Sequence, residues 1–243
     1  FGVDSSSSVD YFTASSEFEK EIIVNHMGYE PSRVPVTGLA RWDGVKDTSD
    51  PAHPVILLMP TWRSWLEGQS DEVFMQSNYY QHYTALLNDQ ELQDYLKEKN
   101  IKLLFYIHPK LQEFISTFYS EDSQIELYSF DSMPMNQLLM RCSMMITDYS
   151  SACWDVYYQG KPILFYQFDL DQYNQTNGSY IDMETEIWGD RCMKQADLIR
   201  LIKEYAENGF QEKEKYAAMR KDYFAYIDHN NCQRTYDYIK SQG

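Results

Sequence analysis

The stretch MMITDYSSACWDVYYQGKPILFY, from Met144 through Tyr166, decides the fold class. Met144 to Thr147 is a short apolar run and Asp148-Tyr149-Ser150-Ser151 a polar turn. Ser151 to Gln159 has helical spacing, with Gly160 where a helix passes into the left-handed region. Pro162 to Tyr166 is a second apolar run. Strand, turn, helix, glycine and strand in immediate succession form the unit of a parallel sheet. Strands covered on both faces read as unbroken apolar runs rather than as alternating ones.

Outward from that unit the pattern repeats. Val55 to Met59 is an apolar run ended by Pro60, and Lys102 to Ile107 and Ile125 to Ser129 are two more strands. Between and after them lie a long amphipathic stretch from about Tyr79 to Lys99, a helical segment from Lys110 to Tyr119 and another from Met135 to Arg141. Downstream, Gln167 to Arg191 reads as a polar loop, followed by helical segments near Met193–Asn208, Gln211–Asp228 and Cys232–Ser241. A helix from Ser16 to Met27, capped by Ser15 or Ser16, precedes everything. Alternating strands and helices, with right-handed crossovers, predict an α/β fold: a Rossmann-like parallel sheet with helices on both faces. The expected division is an N-terminal segment and helix over residues 1–34 and a Rossmann-like lobe over 35–243.

Composition narrows the function. The 243 residues carry 37 acids against 21 strong bases, a formal charge of −16, which argues against a nucleic-acid surface, where basic stripes are expected. Between Leu111 and Asp190 only Arg141 and Lys161 are strong bases, against 13 acids. An anionic ligand there would be held by backbone N–H groups, hydroxyls and helix ends. No apolar run approaches the roughly 20 residues of a membrane span. The four cysteines are widely spaced and read as free thiols. The chain begins Phe1-Gly2-Val3 without a Met and reads as a piece of something longer.

In open parallel sheets ligands bind beyond the carboxyl ends of the strands. The residues there are Thr61-Trp62-Arg63, His108-Pro109, Asp148-Tyr149-Ser150-Ser151 and Gln167-Phe168-Asp169. Ser150 and Ser151 serve either as a phosphate cradle at a helix mouth or as a helix cap. Asp148 either belongs to that site or closes the turn. His108 either donates to a phosphate oxygen or protonates a leaving group, or else is structural. Arg63 either clamps a phosphate bidentately or packs beside Trp62 and Trp65. Asp182, Glu184, Glu186 and Asp190 form an acidic loop, read as solvated rather than as a metal site.

These residues resemble the CDP-glycerol glycerophosphotransferases, the teichoic acid polymerase-like enzymes. The resemblance rests on Val36-Thr37-Gly38-Leu39-Ala40-Arg41-Trp42-Asp43, Pro60-Thr61-Trp62-Arg63, His108-Pro109, Ile146 through Ser151, Lys161 through Tyr166 and Gly178-Ser179-Tyr180-Ile181-Asp182, in order, over roughly Val3 to Ile239. It implies the C-terminal, donor-binding lobe of a GT-B-like fold, inactive alone, with its general base in an N-terminal lobe outside this chain. It implies transfer of polyol phosphate from CDP-glycerol or CDP-ribitol to a teichoic acid or capsular polymer, releasing CMP. His108 would be catalytic, while Asp148, Ser150, Ser151, Thr61 and Arg63 would hold the donor diphosphate. Gly38, Arg41, Gly178, Glu184 and Glu186 would border the nucleotide. Neither cofactor nor metal is implied. The partners would be the nucleotide donor and a polyol-phosphate or glycan acceptor, at the cytoplasmic face of the membrane, with membrane contact only through parts outside this chain. Ala40, Trp42, Asn177 and Trp188-Gly189-Asp190 differ from the family's usual residues. A glycosyltransferase using a UDP- or GDP-sugar and a non-catalytic nucleotide-binding module are the alternatives.

Overall fold

The computed structural model describes residues 9–129 and 132–242, so the opening Phe1-Gly2-Val3 lies outside the described part. Among the described residues β1 (Val55–Leu58), β2 (Lys102–Tyr106), β3 (Ile125–Tyr128), β4 (Met144–Thr147), β5 (Ile163–Tyr166) and β6 (Asp190–Cys192) form one sheet in the order β3-β2-β1-β4-β5-β6. Every neighbouring pair is parallel. Leu57 sits at the centre, in register with Leu104 on one side and Met145 on the other. The strand order reverses between β1 and β4, which makes the gap beyond their carboxyl ends the topological switch point.

The helices run α1 (Glu17–Met27), α2 (Asp71–Met75), α3 (Asn78–Leu87), α4 (Gln90–Lys99), α5 (Met135–Arg141), α6 (Cys153–Tyr158), α7 (Leu170–Thr176), α8 (Gln195–Glu207), α9 (Glu214–Tyr223) and α10 (Asn231–Gln242). Because side chains alternate across a strand, Ile56, Leu58, Leu103, Phe105 and Ile146 share one face. There they join Tyr83, Leu86, Leu96, Leu198 and Ile202 of α3, α4 and α8 in one core. On the other side α5 packs on β1, and α6 on β4 and β5. Burial at about 1.5–3 kcal/mol per large apolar side chain explains why these runs need both layers.

Several elements differ from the sequence expectation for local reasons. The stretch from Tyr79 to Lys99 is two helices, because the Asp89 carboxylate accepts the Leu92 N–H (3.0 Å) and starts α4 afresh. The segment after His108 is a 3-10 helix, Pro109–Thr117, rather than an α-helix. The expected polar loop after β5 contains α7, anchored by buried Leu170 and Tyr173, and ends in β6. Gly189 allows that return: a Cβ there would lie 2.2 Å from the Ile163 carbonyl oxygen.

Two compact units divide the chain. Asp47 to Lys213 carries the sheet, whereas the described residues up to Lys46 join those from Glu214 onward. In this grouping α9 and α10 fall in the same compact unit as α1. In that smaller unit the Ser16 hydroxyl accepts the Glu19 N–H and caps α1, while the Glu19 carboxylate accepts the Ser15 N–H just ahead of the cap. Helix α1 packs on α9, with Phe18 edge-on to Tyr223. The Asp43 carboxylate accepts the N–H groups of Asn231 (2.8 Å) and Cys232 (2.7 Å), capping α10 from 188 residues away. Among the described residues no helix is long and apolar enough to cross a membrane.

Candidate functional site

At the switch point of the sheet-bearing unit the loops after β1, β4 and β5 are tied to one buried guanidinium. Arg63 is completely buried. Its Nε donates to Asp169 Oδ2 at 2.7 Å, one terminal nitrogen donates to Asp169 Oδ1 at 2.9 Å and lies 2.9 Å from Asp148 Oδ2, and the other donates to the Thr61 carbonyl at 2.7 Å. Burial works against its charge, but Asp148 and then Asp169 hold it protonated well above its ordinary value. Asp148, equally buried, also accepts the N–H groups of Thr61 (2.8 Å) and Tyr149 (2.6 Å) and the Tyr83 hydroxyl (3.3 Å). Tyr149 adds a hydroxyl bond to Asp169 at 3.0 Å and stacks on Tyr173 at 3.9 Å.

The guanidinium of Arg63 and both oxygens of Asp148 are engaged by the protein, beneath the surface, and tie the three loops together. Asp169, which the sequence places just beyond β5 but gives no role, is the carboxylate that meets Arg63 through two nitrogens.

What remains for a ligand is carried by this scaffold. The Thr61 hydroxyl is buried without a hydrogen-bond partner among the described residues. The Ser150 hydroxyl accepts the Ala152 N–H (3.3 Å), and α6 begins only at Cys153 without a side-chain cap. Ser150 therefore closes the turn rather than capping the helix. The carbonyls of Ser150 and Ser151 accept the N–H groups of Cys153 and Trp154, whereas no acceptor among the described residues takes their own N–H groups. Successive unpaired amides of this kind make a concave anion site without lysine.

His108 is half-buried ahead of Pro109, and its Nδ1 accepts the Lys110 N–H at 3.2 Å. The neutral ring thus carries its proton on Nε2. Burial, followed by the charge of Lys110, pushes its pKa below the ordinary imidazole value. Trp62 lies nearly parallel to the ring with centroids 6.0 Å apart.

Glu184 pairs with Arg191 at 3.0 Å, Arg191 Nε donates to Gln167 Oε1 at 2.8 Å, and Gln167 Nε2 donates to the Asp148 carbonyl at 3.1 Å. The acidic loop is thereby linked to the serine turn. Glu186 accepts the Asp182 N–H, and Gly178 is exposed with φ +69°. Among the described residues no group of His, Cys, Asp and Glu is gathered as for a metal. Gly38 and Arg41 lie in the smaller unit: Gly38 is packed on Asn231, while exposed Arg41 lies over the Trp42 ring at 5.4 Å.

An all-parallel sheet in this strand order is the doubly wound, Rossmann-like arrangement, and solved structures share the fold. The wall teichoic acid polymerase TagF matches with a TM-score of 0.72 and 19% identity, over 96% of this chain and 58% of that one. A UDP-GlcNAc 2-epimerase of Methanocaldococcus jannaschii matches with a TM-score of 0.52 and 13% identity, over 96% and 61%. The chain belongs to the CDP-Glycerol:Poly(glycerophosphate) glycerophosphotransferase family, whose profile matches residues 3–241. Among its relatives are the minor teichoic acid biosynthesis protein GgaB of Bacillus subtilis, 28% identical over 93% of this chain and 26% of that protein, and the teichoic acid glycerol-phosphate primase of the same organism, 29% identical over 81% and 49%. This chain thus spans between about a quarter and a half of the length of these relatives.

Proposed function

We propose that this chain is the donor-binding lobe of a transferase that moves polyol phosphate from CDP-glycerol or CDP-ribitol to a growing teichoic acid or capsular polymer. The observation that carries this reading is that the Ser150 and Ser151 amides, in the turn after β4 at the switch point, have no acceptor among the described residues, in a chain of this family. In the proposed reaction a terminal polyol hydroxyl oxygen bonds to the phosphorus that bears glycerol. The bond from that phosphorus to CMP breaks, and the hydroxyl proton passes to a base outside this chain. Both reactants are anionic, so the lobe contributes orientation and preorganised N–H donors. His108 would donate from Nε2 to the diphosphate, and Glu184, Glu186 and Gly178 would border the nucleotide. The parent protein would work at the cytoplasmic face of the membrane, touching it through other parts of its chain.

Calorimetric titration tests the donor. CDP-glycerol or CDP-ribitol should bind, and Ser150→Ala, which removes the hydroxyl bond that closes the turn and aims the two amides, should weaken binding about tenfold, with a stability loss near 1 kcal/mol for the lost turn bond. Binding of a UDP-sugar with no CDP compound bound would refute this reading in favour of a glycosyltransferase. Flat titrations with every nucleotide would leave a non-catalytic module.

Titration of His108 gives a second test. The fold favours the neutral ring, whereas a bound diphosphate favours the imidazolium, so protons and donor bind cooperatively. Donor affinity should rise as pH falls from about 7.5 to about 5.5, and the slope should vanish in His108→Gln. An unchanged slope in that variant would return His108 to a purely structural role.

A further inference from the structure

Next to the Arg63 cluster, the loop after β1, the start of α3 and the segment after β5 enclose a cleft of about 460 Å³. That volume lies within the range of small-molecule sites, about 300–1,000 Å³. Trp65, Gln76, Asn78, Tyr79, Asp169 and Gln172 line it. The side-chain amides of Gln76, Asn78 and Gln172 are exposed and make no hydrogen bond with the described residues. Tyr79 is 2% exposed, and its hydroxyl is buried without a partner among the described residues. An orphaned buried hydroxyl costs about 1–3 kcal/mol, so its retention asks for an explanation.

The chemistry of the lining selects among ligands. Each carboxamide offers both a donor and an acceptor, the phenol offers another donor, and the indole of Trp65 offers an apolar wall for C–H groups. Among the described residues no cation lines the cleft: Asp169 is its one charged lining residue, and the guanidinium behind that carboxylate is already shared between two acids. A phosphate would meet a negative wall here. A chain of neutral hydroxyls would meet three free amides and a phenol.

We propose that this cleft is the subsite for a neutral polyol unit, glycerol or ribitol, belonging either to the nucleotide donor or to the terminal unit of the acceptor. The proposal rests on the donor-lobe reading above and names the part of the substrate that the diphosphate turn does not hold. Its position fits: Asp169 is at once a wall of the cleft and the partner of Arg63, which fixes the Thr61 loop.

The test compares wild type with Asn78→Ala/Gln172→Ala and with Tyr79→Phe, titrating each with CDP-glycerol, with CDP and with a short glycerol-phosphate oligomer. If the donor's polyol occupies the cleft, both variants bind CDP-glycerol about five- to twentyfold more weakly while CDP affinity is unchanged. If the acceptor's terminal unit occupies it, the oligomer weakens by a similar factor and both nucleotides are unaffected. Tyr79→Phe should show this loss while its thermal midpoint stays level or rises, which a packing role for the hydroxyl would not produce. Affinities within twofold of wild type for all three ligands in both variants overturn the proposal. A wild type that binds neither CDP compound defeats the donor reading instead, and the oligomer titration still decides the cleft. Absence of oligomer binding as well would count against both.

Discussion

An Arg63→Met protein is expected to lose about 3–5 kcal/mol of stability, because removing one partner of a buried ion pair leaves uncompensated charge. Here two carboxylates would be stranded: the side chains of Asp148 and Asp169 are 0% and 4% exposed. Arg63→Lys should recover only part of the loss. A single ammonium cannot reproduce the fork that meets Asp169 through two nitrogens while reaching Asp148 and the Thr61 carbonyl. Urea unfolding of the three proteins measures this. A loss below about 1 kcal/mol for Arg63→Met would show that the carboxylates find other partners, and that the cluster does not hold the three loops together.

The same cluster shows where sequence reading stops. Val55 to Leu58, Met144 to Thr147 and Ile163 to Tyr166 were legible because strands buried on both faces must be apolar throughout. The convergence of strand ends followed from the parallel order, so Thr61, His108 and Ser150 stand out in the chain itself. The partner of Arg63 does not, because Asp169 is 106 residues away and its proximity depends on β1, β4 and β5 being neighbours. Local signals pointed elsewhere, since Trp62 and Trp65 beside Arg63 suggest a packed surface. Strand β6 was missed because three residues, two of them charged, carry no apolar period. The helical segments that became α9 and α10 were legible, but not what they pack on. The partner of α10 is Asp43, a carboxylate that looks like any other until the helix is placed before it.

Gly38→Ala is expected to destabilise the smaller unit by about 2–5 kcal/mol, summing a left-handed backbone penalty with overpacking. Gly38 has φ +74°, and a Cβ there would lie 1.9 Å from Asn231 Oδ1 and 2.6 Å from its Cγ. Asn231 has nowhere to go. It is fully buried, its N–H and Nδ2 both donate to Asp43 Oδ1 at 2.8 Å, and its Oδ1 accepts from Arg234 at 2.6 Å. Arg234 in turn donates to the Thr37 carbonyl at 3.0 Å and is held by Asp228 at 2.8 Å. The methyl group would therefore push against the cap of α10 itself, and the loss should appear as reduced helicity together with a lower thermal midpoint. The family resemblance sets Gly38 beside the nucleotide; the packing sets it under α10, and the two roles separate in one experiment. In a double-mutant cycle, Asn231→Ala should cost less in the Gly38→Ala background than in wild type, because the clash is relieved. If instead Gly38→Ala melts within about two degrees of wild type and loses donor affinity, the glycine serves the ligand, and the contact with Asn231 is incidental.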